Sequence, residues 1–173
     1  SDVDAALYWL HTMIAAGEDP KFIGRRLVIL ASEDIGLADS RGLGIAVDAF
    51  RAVEVIGIPE GAYALTHATV YLATAPKSNS LAGAIASARD AVEATPGADV
   101  PAHLRSAATA GERAMGHGGG YDYPHNDPLG VVPQQYLPDE AIDATLYRPG
   151  DHGEESEIGE RLGRIDRILG RSR

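Results

Sequence analysis

The stretch Gly17 to Asp39, GEDPKFIGRRLVILASEDIGLAD, decides how the rest of the chain is read. Asp19 can cap a helix. Pro20 fits the first helical position, where its missing N–H removes no bond. Ile23, Leu27, Leu30 and Ala31 then recur at helical spacing, with Phe22 and Ile29 beside them. Arg25 and Arg26 interrupt the run, and Glu33 and Asp34 follow. Gly36 can end the helix, and Asp39 or Ser40 can cap the next one. A competing reading takes Val28 to Asp34 as a buried strand ending in two acids, as at a nucleotide-hydrolysing site. The Pro20 start and the 3.6-residue period decide for a helix. Glu33 and Asp34 are then expected to partner Arg25, Arg26 or neighbouring backbone.

Working outward, Asp2 to Ala16 predicts a helix with Leu7, Leu10, His11 and Ile14 on one face and Gly17 as its stop. His11 on that face is expected to be a satisfied core histidine. Downstream, Ser40 to Ile56 predicts a helix with Leu43, Val47, Phe50 and Glu54 spaced by three or four. Ile45, Ala46, Ala49 and Val53 widen its stripe. Pro59 is read as the start of the next helix, which Ala75-Pro76 breaks. Ser78 to about Ala94 is an alanine-rich helix whose small side chains let a neighbour approach closely. Five helices on short turns predict an all-α array or bundle. No period-two alternation and no long repeat occurs.

The character changes after Thr95. Residues 96–153 read as loop-rich, with short helical pieces near 101–105 and 109–115. Gly116 to Pro138 is Gly-, Pro- and Tyr-rich and is read as a long packed loop. Residues 154–170 close the chain as an amphipathic helix with Ile158, Leu162, Ile165 and Leu169 at helical spacing. The expectation is a single helical domain of about five to seven helices.

At 173 residues the chain can bury a core without staples, and it has no cysteine for a disulfide or thiolate site. Its formal charge of −10 argues against a simple nucleic-acid-binding surface, though not against a local basic patch. The acidic start does not read as a signal peptide, and no apolar run is long enough for a bilayer, so a soluble intracellular chain is the expectation.

The phosphate-loop pattern GxxxxGK[ST] is absent, and Gly116, Gly118, Gly119 and Gly120 neither follow a strand nor open a helix. His117, Asp122, His125, Asp127 and His152 match no metal-ligand spacing. No GxSxG occurs. Ala75 to Asn79 forms a helix-to-helix junction, where Ser78 or Asn79 can cap and Lys77 could meet a phosphate. No catalytic, cofactor-binding or metal-binding residue is assigned.

Several blocks occur in one order: Asp4 to Leu10; Gly17 to Pro20; Phe22-Ile23; Arg25 to Val28; Ser32 to Asp39; Ala75 to Asn79. His103 to Arg105, Gly120 to His125 and Gln135 to Pro138 continue it. Together they resemble the C-terminal domain of the replication-associated recombination protein A family, bacterial relatives of the Werner-helicase-interacting ATPase. The resemblance covers nearly the whole chain. It implies a homotetramerising helical domain of a DNA-stimulated AAA+ ATPase acting at stalled or gapped replication forks. That ATPase works with single-stranded-DNA-binding protein in the cytoplasm, near the nucleoid. The resemblance places ATP and Mg in an AAA+ module that this chain lacks, so the chain alone is not expected to be an enzyme. The motif or contact candidates are Lys21, Arg25, Arg26, Glu33, Asp34, Lys77, Asn79, His103, Arg105, Tyr121, Tyr123, His125, Gln135 and Tyr136. The alternative role is a surface for DNA or for the acidic tail of single-stranded-DNA-binding protein, through Lys21, Arg25, Arg26, Lys77 and Arg105. Two positions depart from the family: Ser106 replaces its usual Asn, and the turn His117 to Gly120 lacks its frequent Lys.

Overall fold

A computed structural model of the chain describes residues 1–171, among which there are seven α-helices and no strand. The helices are α1 (Val3–Ala15), α2 (Pro20–Leu30), α3 (Arg41–Ile56), α4 (Ala62–Thr74), α5 (Ser80–Ala94), α6 (Ala110–Ala114) and α7 (Glu155–Leu169). Among the described residues no helix is long and apolar enough to cross a membrane. The chain divides into two compact units, residues 1–83 with 148–159, and residues 84–147 with 160–173. These limits fall inside α5 and α7. They do not follow the compositional changes near 95 and 153.

In the first unit the expected cap of α2 forms at Asp19, Ser40 makes no side-chain cap on α3, and Asp2 caps α1. Asp2 Oδ1 accepts from Ala5 N at 2.9 Å, and Asp19 Oδ1 accepts from Lys21 N at 2.9 Å. The strand alternative for Val28 to Asp34 is overturned. α2 ends at Leu30, followed by a π-helical turn (Ala31–Ile35) and a 3-10 turn (Gly36–Ala38). The cause is visible in the spacing. Ile23, Leu27, Ala31 and Ile35 are each four residues apart, and such positions drift by about 40° per step around an α-helix. The wider π turn absorbs that drift and keeps Ala31 and Ile35 buried.

α1 packs on α4, α4 on α3, α3 on α2, and α2 on α4. One core cluster joins Leu10, Ile23, Val53 and Leu65; the other joins Ala31, Ile35, Ala46, Leu72 and Ala75. Leu27 packs against both.

Three expectations are corrected here. The buried face of α3 is Gly42, Ala46, Ala49 and Val53, while Leu43 and Val47 are 44% and 38% exposed. Small residues win because the helices come close: a Cβ on Gly24 of α2 would lie 2.8 Å from Phe50 Cδ2 of α3. α4 begins at Ala62 rather than Pro59, which lies in the turn of residues 58–61 between the two helices. His11 is exposed rather than in the core, with Nε2 3.3 Å from Thr66 Oγ1.

In the second unit, α6 is held by a reciprocal cap. Thr109 N donates to Glu112 Oε2 at 2.7 Å, and Glu112 N donates to Thr109 Oγ1 at 3.2 Å. The long loop is fixed by polar side chains. Gln134 accepts from Asp122 N at 3.2 Å and donates to Asp122 O at 2.8 Å, and its amide also reaches Tyr136 Oη at 3.1 Å. Val132 is buried, whereas Tyr121 and Tyr123 are exposed.

Candidate functional site

A groove of about 280 Å³ in the first unit runs between α1, α2 and α4. Its apolar lining includes Leu10, Ile23, Leu27, Leu30 and Leu72, with Trp9 and Met13 of α1 at its exposed side. Thr69 of α4 also lines it. Thr69 is only 6% exposed, and its hydroxyl has no hydrogen-bond partner among the described residues. A buried hydroxyl without a partner costs free energy that an incoming acceptor would recover.

Two cationic side chains, Arg26 and Lys77, border this groove, and the Asp2 carboxylate borders it too. Lys77 Nζ donates to Leu72 O at 3.1 Å, which anchors the ammonium at the C-terminal end of α4. Neither Arg26 nor Lys77 has a carboxylate within 4.0 Å among the described residues. The arrangement is an apolar trough with a positive edge. It fits an apolar anchor followed by negative charge near Arg26 and Lys77.

The other candidates are placed differently. Lys21 sits 3.8 Å from Glu54, and Arg25 sits 3.8 Å from Asp19 while lying over the Phe22 ring. Glu33 and Asp34 are exposed, and neither forms the ion pair with Arg25 or Arg26 that was one of the expected arrangements. The Asp34 backbone carbonyl accepts from Ser78 N at 2.9 Å. Asn79 sits just before α5, its carbonyl accepting from Ala82 N at 3.0 Å. Asp34, Lys77, Asn79 and Arg148 line a second, more open cavity.

The remaining candidates lie in the second unit. His103 Nε2 is 2.8 Å from Gln135 O, and Gln135 Nε2 donates to Leu137 O at 2.8 Å and to Asp139 Oδ1 at 2.7 Å. Arg105 is neutralised by Asp99 at 3.1 Å. Tyr121, Tyr123 and His125 form an exposed row, with ring centroids 6.4 and 5.0 Å apart. Among the described residues no three His, Asp or Glu side chains are gathered as a metal would require.

Sequence reasoning missed a polar latch in the first unit. Asp39, only 6% exposed, accepts from Tyr71 Oη at 2.6 Å, from Arg41 Nε at 3.1 Å and from Arg41 N at 3.1 Å. Burial pushes the Asp39 carboxyl up, but the Tyr71 and Arg41 hydrogen bonds outweigh it and hold the carboxyl below its usual value. The Tyr71 hydroxyl is raised by the same hydrogen bond. Next to it, Glu154 accepts from Ser40 Oγ at 2.6 Å and from Ser40 N at 3.1 Å, which lowers the Glu154 carboxyl. Glu155 accepts from Ser80 Oγ. These partners are 114 and 75 residues apart in sequence, so no local spacing announces them. Also missed were the exposed arginines of α7, whose period of three was the available signal.

A family model described as "MgsA AAA+ ATPase C terminal" matches residues 1–166. An uncharacterized AAA domain-containing protein of Mycobacterium tuberculosis is 52% identical over 173 residues, covering 100% of this chain and 38% of that protein. Replication-associated recombination protein A of Escherichia coli is 41% identical over 160 residues, covering 92% of this chain and 36% of that protein. ATPase WRNIP1 of Dictyostelium discoideum is 44% identical over 140 residues, covering 80% of this chain and 16% of that protein. The chain thus spans well under half the length of each of these relatives. It belongs to the family of MgsA AAA+ ATPase C-terminal domains.

Proposed function

We propose that this chain is the homo-oligomerisation domain, forming a tetramer, of a DNA-dependent AAA+ ATPase that acts in replication-fork rescue and recombination. The role in replication and recombination follows the names of its relatives. The assembly reading rests on one observation: α5 is a 15-residue helix rich in alanine, and none of its residues is buried. Ile85 and Val92 on it are 55% and 72% exposed. Apolar helix surface of this kind gains free energy when a partner covers it. Four linked copies would hold their ATPase modules at high local concentration on one DNA substrate. ATP and Mg belong to those modules, and the cytoplasm near the nucleoid is where such a protein works. The test is the solution mass of the chain by light scattering across a dilution series. A mass near four chains that falls in the Ile85→Asp/Val92→Asp variant supports the proposal. A monomer at every concentration refutes it.

A second reading has its own observation, the apolar groove bordered by Arg26 and Lys77. It fits the acidic tail of a single-stranded-DNA-binding protein, with the apolar end seated on Leu27 and Leu72 and the acids facing the cations. The test is anisotropy of a labelled acidic-tail peptide. Tight binding that Arg26→Glu/Lys77→Glu abolishes, at unchanged solution mass, supports it. Equal binding by both proteins refutes it.

A further inference from the structure

The basic residues read from the sequence as contacts are mostly spoken for, since Lys21, Arg25 and Arg105 each face a carboxylate. The positive charge left uncommitted is concentrated elsewhere. Arg161, Arg164 and Arg167 of α7 are all exposed, and none has a carboxylate within ion-pair distance among the described residues. At 3.6 residues per turn these three fall within an arc of about 120°, while Ile158, Leu162, Ile165 and Leu169 occupy a separate arc of about 60° whose centre lies about 130° away. The apolar four are half-buried, which turns the arginine face outward. Exposed Glu157 and Glu160 fall within the same arc, one turn before Arg161 and Arg164, so the basic stretch is the C-terminal part of the stripe; Asp166 is buried off that face.

Favourable interaction with the helix dipole accounts for arginine in the last turn, where Arg167 sits. It does not account for Arg161 and Arg164, which lie in the middle of the helix. Guanidinium groups are planar forks that suit phosphate oxygens. The three side chains span about 9 Å of helix axis, and one DNA strand presents a phosphate about every 3.4 Å, so the stripe matches two or three successive phosphates. Beyond its end, Arg171 and Leu169 border a cleft of about 600 Å³ that is also lined by Gln134, Gln135 and Thr145. These side chains offer further polar groups next to the stripe.

We infer that the C-terminal half of α7 is a contact surface for the phosphodiester backbone of a nucleic acid, made by Arg161, Arg164 and Arg167. The inference rests on the proposed function only for the choice of DNA as probe. Its failure leaves the oligomerisation reading standing, since that reading is tested by mass.

The experiment measures anisotropy of fluorescein-labelled oligothymidylate and of a labelled duplex with the 173-residue chain. Three phosphate contacts predict that affinity falls about 20-fold for the single strand and about 40-fold for the duplex between 50 and 200 mM salt. The variant Arg161→Glu/Arg164→Glu is expected to lose at least about 10-fold in affinity and most of the salt slope. Arg161→Lys/Arg164→Lys keeps the slope, because it keeps the charges. Arg25→Glu binds as wild type, because Arg25 is already paired with Asp19. Binding of either probe with this pattern supports the inference, and the two probes distinguish single-stranded from duplex specificity. No salt-sensitive binding overturns it. So does loss of binding in Arg25→Glu without loss in the α7 variant. A charge-reversed variant that melts earlier but binds equally overturns it in favour of a dipole role. One with altered solution mass and unchanged DNA binding overturns it in favour of a contact with a second copy.

Discussion

Gly153→Ala is the sharpest test of the latch that ties residues 148–159 to the rest of the first unit. Gly153 has φ +57°, and a Cβ there would lie 2.1 Å from Ala38 O and 2.7 Å from Pro76 Cγ. The first obstacle is backbone, so it cannot swing aside as a side-chain end could. The left-handed conformation alone costs a non-glycine residue about 1–2 kcal/mol. Relieving the overlap moves the next residue, whose N–H donates to Ala38 O at 2.8 Å. Losing that backbone bond adds about 1 kcal/mol, for a total of about 2–3 kcal/mol. The control is Gly44→Ala in α3, where nothing lies within 4 Å of the added methyl. There the better helix former stabilises by about 0.5–1 kcal/mol. The assay is urea unfolding followed by circular dichroism, with Trp9 fluorescence reporting the first unit. With a slope near 2 kcal/mol/M, the Gly153→Ala midpoint falls by about 1–1.5 M while that of Gly44→Ala rises. A Gly153→Ala midpoint that matches wild type, or rises with the control, refutes the latch.

The remaining predictions follow from burial and titration. Leu65→Ala, fully buried in the core, is expected to cost about 2–5 kcal/mol, whereas Leu43→Ala on the exposed side of α3 costs far less; equal losses in urea would contradict the assigned face. Asp39 and Glu154 are both held below their ordinary carboxylate values of 3.8 and 4.5. Their stabilisation is therefore fully present above those values and is lost as pH falls through the lowered ones. Acid unfolding of Glu154→Gln should be less steep in that window than that of wild type, and identical profiles would count against the coupling. Tyr71→Phe removes a donor from Asp39, so the Asp39 carboxyl should titrate higher by NMR; an unmoved titration would show that the hydrogen bond is not formed in solution.

Much of the fold was legible because it is written locally. Asp2, Asp19-Pro20 and the Thr109–Glu112 pair mark helix starts through contacts two or three residues long, which a sequence displays directly. The four-residue spacing from Ile23 to Ile35 is equally visible in the sequence but is compatible with one α-helix, because drift becomes a π turn only when two clusters must both be filled. Which face of α3 is buried was legible in part, since Ala46, Ala49 and Val53 lay on the expected stripe, but not its centre. Hydrophobic size favoured Leu43 and Val47, and close approach of α2 at Gly24 chose Ala46 and Ala49 instead. The candidate site divides the same way. The sequence by itself determined the family, the all-helical class and the presence of Arg26 and Lys77, since identity and local periodicity do not depend on distant partners. Only the tertiary structure decided that those two cations share a groove with the buried Thr69 hydroxyl, and that Glu154 reaches back to Ser40, because such pairings are fixed by packing between residues far apart along the chain.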